Sequence, residues 1–229
     1  MKKKLKFAMI LSGCGGMDGS ETHEVVGLMI AIKKHLCDYS CFSIDEDQKY
    51  VISSYKNKIN QKQNKRNMLE ESGRLNHGNI SDLKKLDVSN FDGLVLPGGY
   101  GTGTSFSNFI KCDGDLCQKN VNYSVREEIS YVIQSFHNAN KPIFAGCMAP
   151  VLLNGSLRGI KIMIDEGFYT KEIIEKHNNT YQVCKINEIC IDEENKIITA
   201  PFYMAKNANV LTVFNESDIS IAEMIQMCC

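Results

Sequence analysis

The sequence predicts an α/β domain in which a mostly parallel sheet carries helices on both faces. Three observations lead there. Short apolar runs alternate with amphipathic stretches of helical length along the whole chain. Three of the apolar runs end in Gly- or Cys-bearing loops, at 12–20, 97–103 and 146–150, and ligands bind at strand ends in such folds. A chain of 229 residues that is 43% hydrophobic can bury a large core without staples. No repeat or linker divides it, so 1–229 reads as one domain.

Residues 6–11 form the first strand, which runs into the loop SGCGGMDGS. The spacing of Val25, Val26, Leu28, Met29, Ile32 and Leu36 predicts a helix over 22–36, with Asp18 or Ser20 as its cap. A second strand follows at 39–44. Residues 46–65 are polar and form an excursion; its lysines between 56 and 66, interleaved with Asn and Gln, suit a solvated face. A short helix covers 66–73, and 80–86 is a connecting segment. FDGLVL at 91–96 is a central strand leading into Pro97-Gly98-Gly99. Ile129, Val132, Ile133 and Phe136 give the helix over 125–139 its apolar face. A strand at 142–145 is followed by a helix after Cys147, and another strand lies at 160–164. Residues 188–191 and 196–199 flank the turn DEEN as a β-hairpin, read as a small insertion, and 217–228 closes the chain as a helix.

Composition excludes several functions. The net charge of −1 gives no field for nucleic acid or an anionic membrane. No run approaches the roughly 18 apolar residues of a membrane span. The opening MKKKLKFAMILSGC has the look of a lipoprotein signal, but its apolar stretch, 7–11, falls short of the roughly 7–15 residues a signal needs. A cytoplasmic location is expected, or an organellar one if a longer precursor existed. The ten cysteines form no CxxC pair, so most read as reduced thiols and no metal site is expected. Cys228 and Cys229 form no CaaX signal, and their role stays open.

The stretch PIFAGCMAP at 142–150 carries the chemistry. Small residues around Cys147 suit a sharp strand-to-helix turn that presents a nucleophile. Pro150 suits a first helical turn. A thiol at a helix N-terminus is expected to have a lowered pKa. The same stretch also suits an inert cysteine buried at a strand–helix junction. Gly98 and Gly99 let backbone N–H groups approach a ligand; with the Met148 N–H, that of Gly99 can form an oxyanion hole, or the pair can simply make a tight turn. Ser12-Gly13-Cys14-Gly15-Gly16 begins a dinucleotide fingerprint, but Asp18 stands where its third glycine belongs. Glu24 and His23 can either complement a helix start or point toward Cys147.

Together these residues resemble the PfpI superfamily of intracellular proteases, glyoxalases and deglycases, and within it the ElbB-like branch, also named enhancing lycopene biosynthesis protein. The motifs are ILSGCGGMDGSETHE at 10–24, RNMLEESGRLNHGNI at 66–80, LVLPGGYG at 94–101 with SNF at 107–109, GCMAP at 146–150, and DEENKIITAPFYM at 192–204. The resemblance spans nearly the whole chain. It implies a flavodoxin-like three-layer sandwich with a reactive cysteine, Cys147. It further implies that Glu24 is a protonated carboxyl bonded to the Cys147 sulfur, and that the Gly99 N–H serves the oxyanion. Many members have a histidine downstream of the cysteine, whereas Lys161-Ile-Met-Ile-Asp-Glu-Gly167 has none. A Cys-His-acid triad is therefore not expected, and His23, Asp165 or Glu166 remain as substitute proton carriers. The glutaminase branch fits less well, because no late His-x-Glu pair occurs.

The resemblance implies a cofactor-independent glyoxalase acting on small aldehydes such as glyoxal. Its alternative is a non-catalytic redox sensor built on an oxidisable Cys147. Superfamily members are often dimers, so a homodimer is allowed.

Overall fold

A computed structural model describes residues 4–56, 58–59, 65–113, 116–164 and 171–228. Its strands are β1 (Lys6–Ile10), β2 (Asp38–Ser43), β3 (Ile52–Ser53), β4 (Lys58–Ile59), β5 (Ile80–Asp82), β6 (Gly93–Leu96), β7 (Ile110–Asp113), β8 (Leu116–Lys119), β9 (Ile143–Gly146), β10 (Lys161–Ile164), β11 (Thr180–Val183), β12 (Cys190–Asp192) and β13 (Ile197–Ala200). The α-helices are α1 (Thr22–Lys34), α2 (Met68–Gly73), α3 (Tyr100–Thr104), α4 (Glu127–Asn138), α5 (Pro150–Ser156), α6 (Lys171–Glu175) and α7 (Val210–Met227).

Seven strands form the central sheet in the order β12-β13-β9-β6-β1-β2-β5. Every pairing in it is parallel except that of the edge strand β12 with β13. The period of two along β1 assigns its side chains to opposite layers. Phe7, Met9 and Leu11 join the core beneath α1 and α7, which holds Leu28, Ile32, Val213 and Ile221. Ala8 and Ile10 join the opposite core, which holds Ile133 and Phe136 of α4 and Leu152 of α5. A central strand covered on both faces is apolar along its buried length, as the FAMI that follows Lys6 is. The result is the three-layer flavodoxin-like sandwich.

Several expectations need correction. The hairpin of 188–199 is not an insertion: its second arm, β13, pairs in parallel with β9 and extends the main sheet. The inserted hairpins are β3–β4 and β7–β8. The strand expected at 160–164 leaves the main sheet and pairs with β11. Residues 80–82 supply the edge strand β5 rather than a mere connection. The last helix starts earlier than its apolar pattern, because Asn209 and Thr212 form a reciprocal capping box. Much of the basic 56–66 run lies outside the described residues.

Most thiols are free, including Cys14, Cys37, Cys41, Cys184 and Cys190. Cys112 and Cys117 instead form a disulfide, facing each other across β7 and β8. Cys228 lies against the Asp92 carbonyl, with its sulfur 3.5 Å away; Cys229 lies outside the described residues. Among the described residues no helix is long and apolar enough to cross a membrane.

Candidate active site

Three loops meet beyond the carboxyl ends of β1, β6 and β9. The Glu21 N–H donates to the Gly98 carbonyl at 3.1 Å, the Tyr100 N–H to Gly16 at 2.8 Å and the Gly101 N–H to Gly19 at 3.0 Å. These bonds tie 12–20 to 97–103, the expected juxtaposition.

Cys147 stands at the turn between β9 and α5 with φ 53°, in the left-handed region that a non-glycine residue enters only when the surroundings enforce it. The enforcement is visible. The Cys147 N–H donates to the Ala200 carbonyl of β13 at 2.9 Å. Phe202, itself left-handed at φ 50°, lays its ring over Gly146, where an added Cβ would lie 2.4 Å from a ring carbon. Glu216 of α7 fixes that segment: one carboxyl oxygen accepts the Phe202 N–H and the other the Asn187 N–H, each at 2.8 Å. Cys147 is therefore on an elbow, as its small flanks predict.

Glu24 occupies the first turn of α1 and is completely buried. Its N–H donates to the side chain of Glu21 at 2.8 Å, so Glu21 is the helix cap rather than Asp18 or Ser20. Asp18 is turned elsewhere, accepting the Ile52 N–H at 2.8 Å and pairing with Arg66 at 3.2 Å. The carboxylate of Glu21 also fills the helix start where a dinucleotide fold would hold pyrophosphate. Glu24 Oε2 accepts the Gly98 N–H at 2.9 Å. Its other oxygen has no partner of ordinary geometry among the described residues, while the Cys147 side chain and the Tyr203 N–H also interact with the carboxyl. A Cβ on Gly98 would fall 2.4 Å from the Cys147 Cβ and 2.8 Å from Glu24 Oε2, so only glycine lets thiol and acid meet.

Burial, reinforced by the nearby charge of Glu21, pushes the Glu24 carboxyl up to about 8. It carries its proton at neutral pH, as the resemblance implies. The thiol departs from expectation. Burial raises Cys147 well above the ordinary thiol value, and Glu24 raises it further; the N–H groups of Gly99 and Met148, both bonded to the sulfur, oppose this and lose. Cys147 is only 9% exposed, and α5 begins only at Pro150, so desolvation outweighs the helix terminus.

The other candidate residues divide. His23 lies at the mouth of the same cavity, its Nδ1 2.8 Å from the Tyr203 hydroxyl and 3.6 Å from Glu21. Asp165 and Glu166 lie outside the described residues. His177, the one histidine that follows Cys147 in the sequence, packs its ring on Tyr123 and is not among the described lining residues. Tyr203 is the residue that sequence reasoning missed; its only signal was its place within the APFYM motif. Among the described residues no cluster of His, Cys, Asp and Glu could hold a metal ion.

No protein-family model matches the chain. A human protein named glutamine amidotransferase-like class 1 domain-containing protein 3, mitochondrial, is 33% identical over 212 residues, covering 89% of this chain and 76% of its own. The chain belongs to the glutamine amidotransferase-like class 1 domain family. A rat member, ES1 protein homolog, mitochondrial, is 31% identical, covering 90% of this chain and 77% of its own. The fold of the group is equally clear in a solved Ehrlichia chaffeensis structure, an isoprenoid biosynthesis protein with an amidotransferase-like domain. It superimposes with a TM-score of 0.83 and 32% identity over 97% of this chain and 99% of that one. Glyoxalase III of Candida albicans, at TM-score 0.59 and 12% identity over 96% and 97% of the two chains, shares the fold.

Proposed function

We propose that the protein is a cofactor-independent glyoxalase that converts small α-oxoaldehydes such as glyoxal to 2-hydroxy acids. The observation that carries this reading is the buried Glu24–Cys147 pair, with the Gly99 and Met148 N–H groups on the same sulfur. A nucleophile, a proton carrier and two fixed donors, with the nucleophile and carrier themselves buried, are what an aldehyde isomerisation requires.

The Cys147 sulfur adds to the aldehyde carbon, the C–S bond forms, and the thiol proton reaches the aldehyde oxygen to complete a hemithioacetal. The N–H groups of Gly99 and Met148 stabilise that oxygen while it is anionic. Glu24, in its carboxylate form, removes the hydrogen from the same carbon, giving an enediol, and returns the proton to the adjacent carbon. The resulting thioester takes up water, releases the 2-hydroxy acid and restores the thiol. The net change is addition of one water to the oxoaldehyde, with no external oxidant or reductant.

The redox-sensor reading has less support, because oxidation needs only the Cys147 sulfur and leaves the Glu24 carboxyl and the Gly99 and Met148 donors without a part. The human and rat relatives carry "mitochondrial" in their names, which supports an organellar setting over the expected cytoplasmic one. The test is glyoxal turnover with the product identified: the wild type forms glycolate and Cys147→Ser does not. Equal turnover by the two proteins overturns the assignment.

A further inference from the structure

We infer that the Cys147 cavity selects neutral carbonyl compounds bearing an apolar or aromatic group and rejects anionic ones, with Glu21 excluding the anion and Tyr203 receiving the apolar group. This deepens the glyoxalase reading and rests on it for the name of the substrate, but the selectivity belongs to the cavity itself.

Three observations carry the inference. The first is size: the cleft has a volume of ≈ 630 Å³, far more than a molecule as small as glyoxal needs and within the range of sites that hold larger ligands. The second is surface chemistry. Met17, Met148 and Met204 line it together with the rings of Tyr100 and Tyr203, so a ligand meets polarisable thioethers and aromatic faces around the sulfur. The third is charge. Among the described residues no Lys or Arg lines it, and Glu21 does. Its carboxylate is anchored, one oxygen on the Glu24 N–H at 2.8 Å and the other 3.6 Å from His23 Nδ1. A carboxylate or phosphate on the substrate would enter beside that fixed negative charge, with no Arg or Lys among the described lining residues to pair with, in a partly desolvated space where like charges repel strongly. The donors at the reacting centre are backbone N–H groups, which stabilise an oxyanion formed there without recruiting an anion from afar.

Tyr203 is placed for the apolar contact. Its hydroxyl is held by His23 at 2.8 Å, with the two rings 5.8 Å apart, and its N–H is engaged by the Glu24 carboxyl. The ring is thereby fixed at the mouth from both ends. A ring immobilised before binding loses little further freedom when a ligand packs on it.

Alkylation of Cys147 tests this without requiring turnover. Iodoacetate, iodoacetamide and 2-bromoacetophenone are reacted separately with the full chain, and labelling at Cys147 is followed by peptide mass spectrometry. Each rate is divided by that of N-acetylcysteinamide. The expected order is aromatic ketone above amide above acid, with about tenfold or more at each step beyond the free thiol. Glu21→Gln, which keeps the helix cap, should shrink the penalty on iodoacetate by about threefold or more; Tyr203→Ala should remove most of the aromatic gain. Ratios equal to those of the free thiol, faster reaction with the acid, or no reaction with the ketone would overturn the inference. A glyoxal assay that fails while these ratios hold removes the reaction and leaves the selectivity standing.

Discussion

Glu24 and Cys147 form a single buried acid–thiol pair, brought together because Gly98 carries no side chain between them. Glu24 raises the thiol both as a charge and as a bonding partner, while the bond from Cys147 works against the burial that raises Glu24. Their titration therefore belongs to the pair. At neutral pH Glu24 holds its proton, and carboxylate accumulates as the pH approaches about 8.

Replacing Glu24 by Gln should move two properties in opposite directions. Turnover should fall by about 10²-fold or more, because the amide cannot take up the substrate proton. Alkylation of Cys147 at pH 9 should accelerate, because the carboxylate charge that raises the thiol is gone. Kinetics and labelling on the same preparation check both; a variant slowed in both would leave Glu24 with only a structural part.

The thiol itself should react late. Labelling of Cys147 by iodoacetamide should keep rising with pH beyond the ordinary thiol value of 9.0, since burial and then Glu24 raise it. A plateau below that value would mean that the N–H groups of Gly99 and Met148 outweigh burial.

Stability should fall on the alkaline side. Glu24 has a folded pKa raised from 4.5 to about 8, so its contribution is full below pH 4.5 and is lost as pH rises through about 8. Glu216, raised by burial, acts in the same sense. Urea midpoints at pH 5, 7 and 9 should decline for the wild type and decline less for Glu24→Gln; parallel curves would contradict the shift at Glu24.

Gly98→Ala should abolish turnover and destabilise the fold by about 1–3 kcal/mol, because the new methyl overlaps both Cys147 and Glu24. Chemical denaturation with an activity assay measures the two effects. An active Gly98→Ala protein would show that thiol and acid do not need their close approach.

Much of this was legible in the sequence because it rests on local rules. Apolar runs marked β1, β6 and β9, and small residues around Cys147 marked the elbow. What escaped was tertiary. The left-handed turn at Phe202 has no glycine to announce it and exists because Glu216, from α7, binds its N–H. The joining of β13 to β9 depends on strand order rather than on either strand's composition. The helix-terminus argument for Cys147 failed for the same reason: burial by β13, Phe202 and Glu24 cannot be read from GCMAP. Tyr203 escaped because its partner, His23, is distant in the chain.

The pH dependence of kcat/KM for glyoxal tests the central claim most directly, measured from pH 6 to 9.5 with formation of the 2-hydroxy acid as the readout. The Glu24–Cys147 account predicts a rate that climbs through about pH 8 as Glu24 becomes a carboxylate, and no measurable rate for Cys147→Ser. A profile flat across that range, or one that falls as the pH rises toward 8, would contradict it.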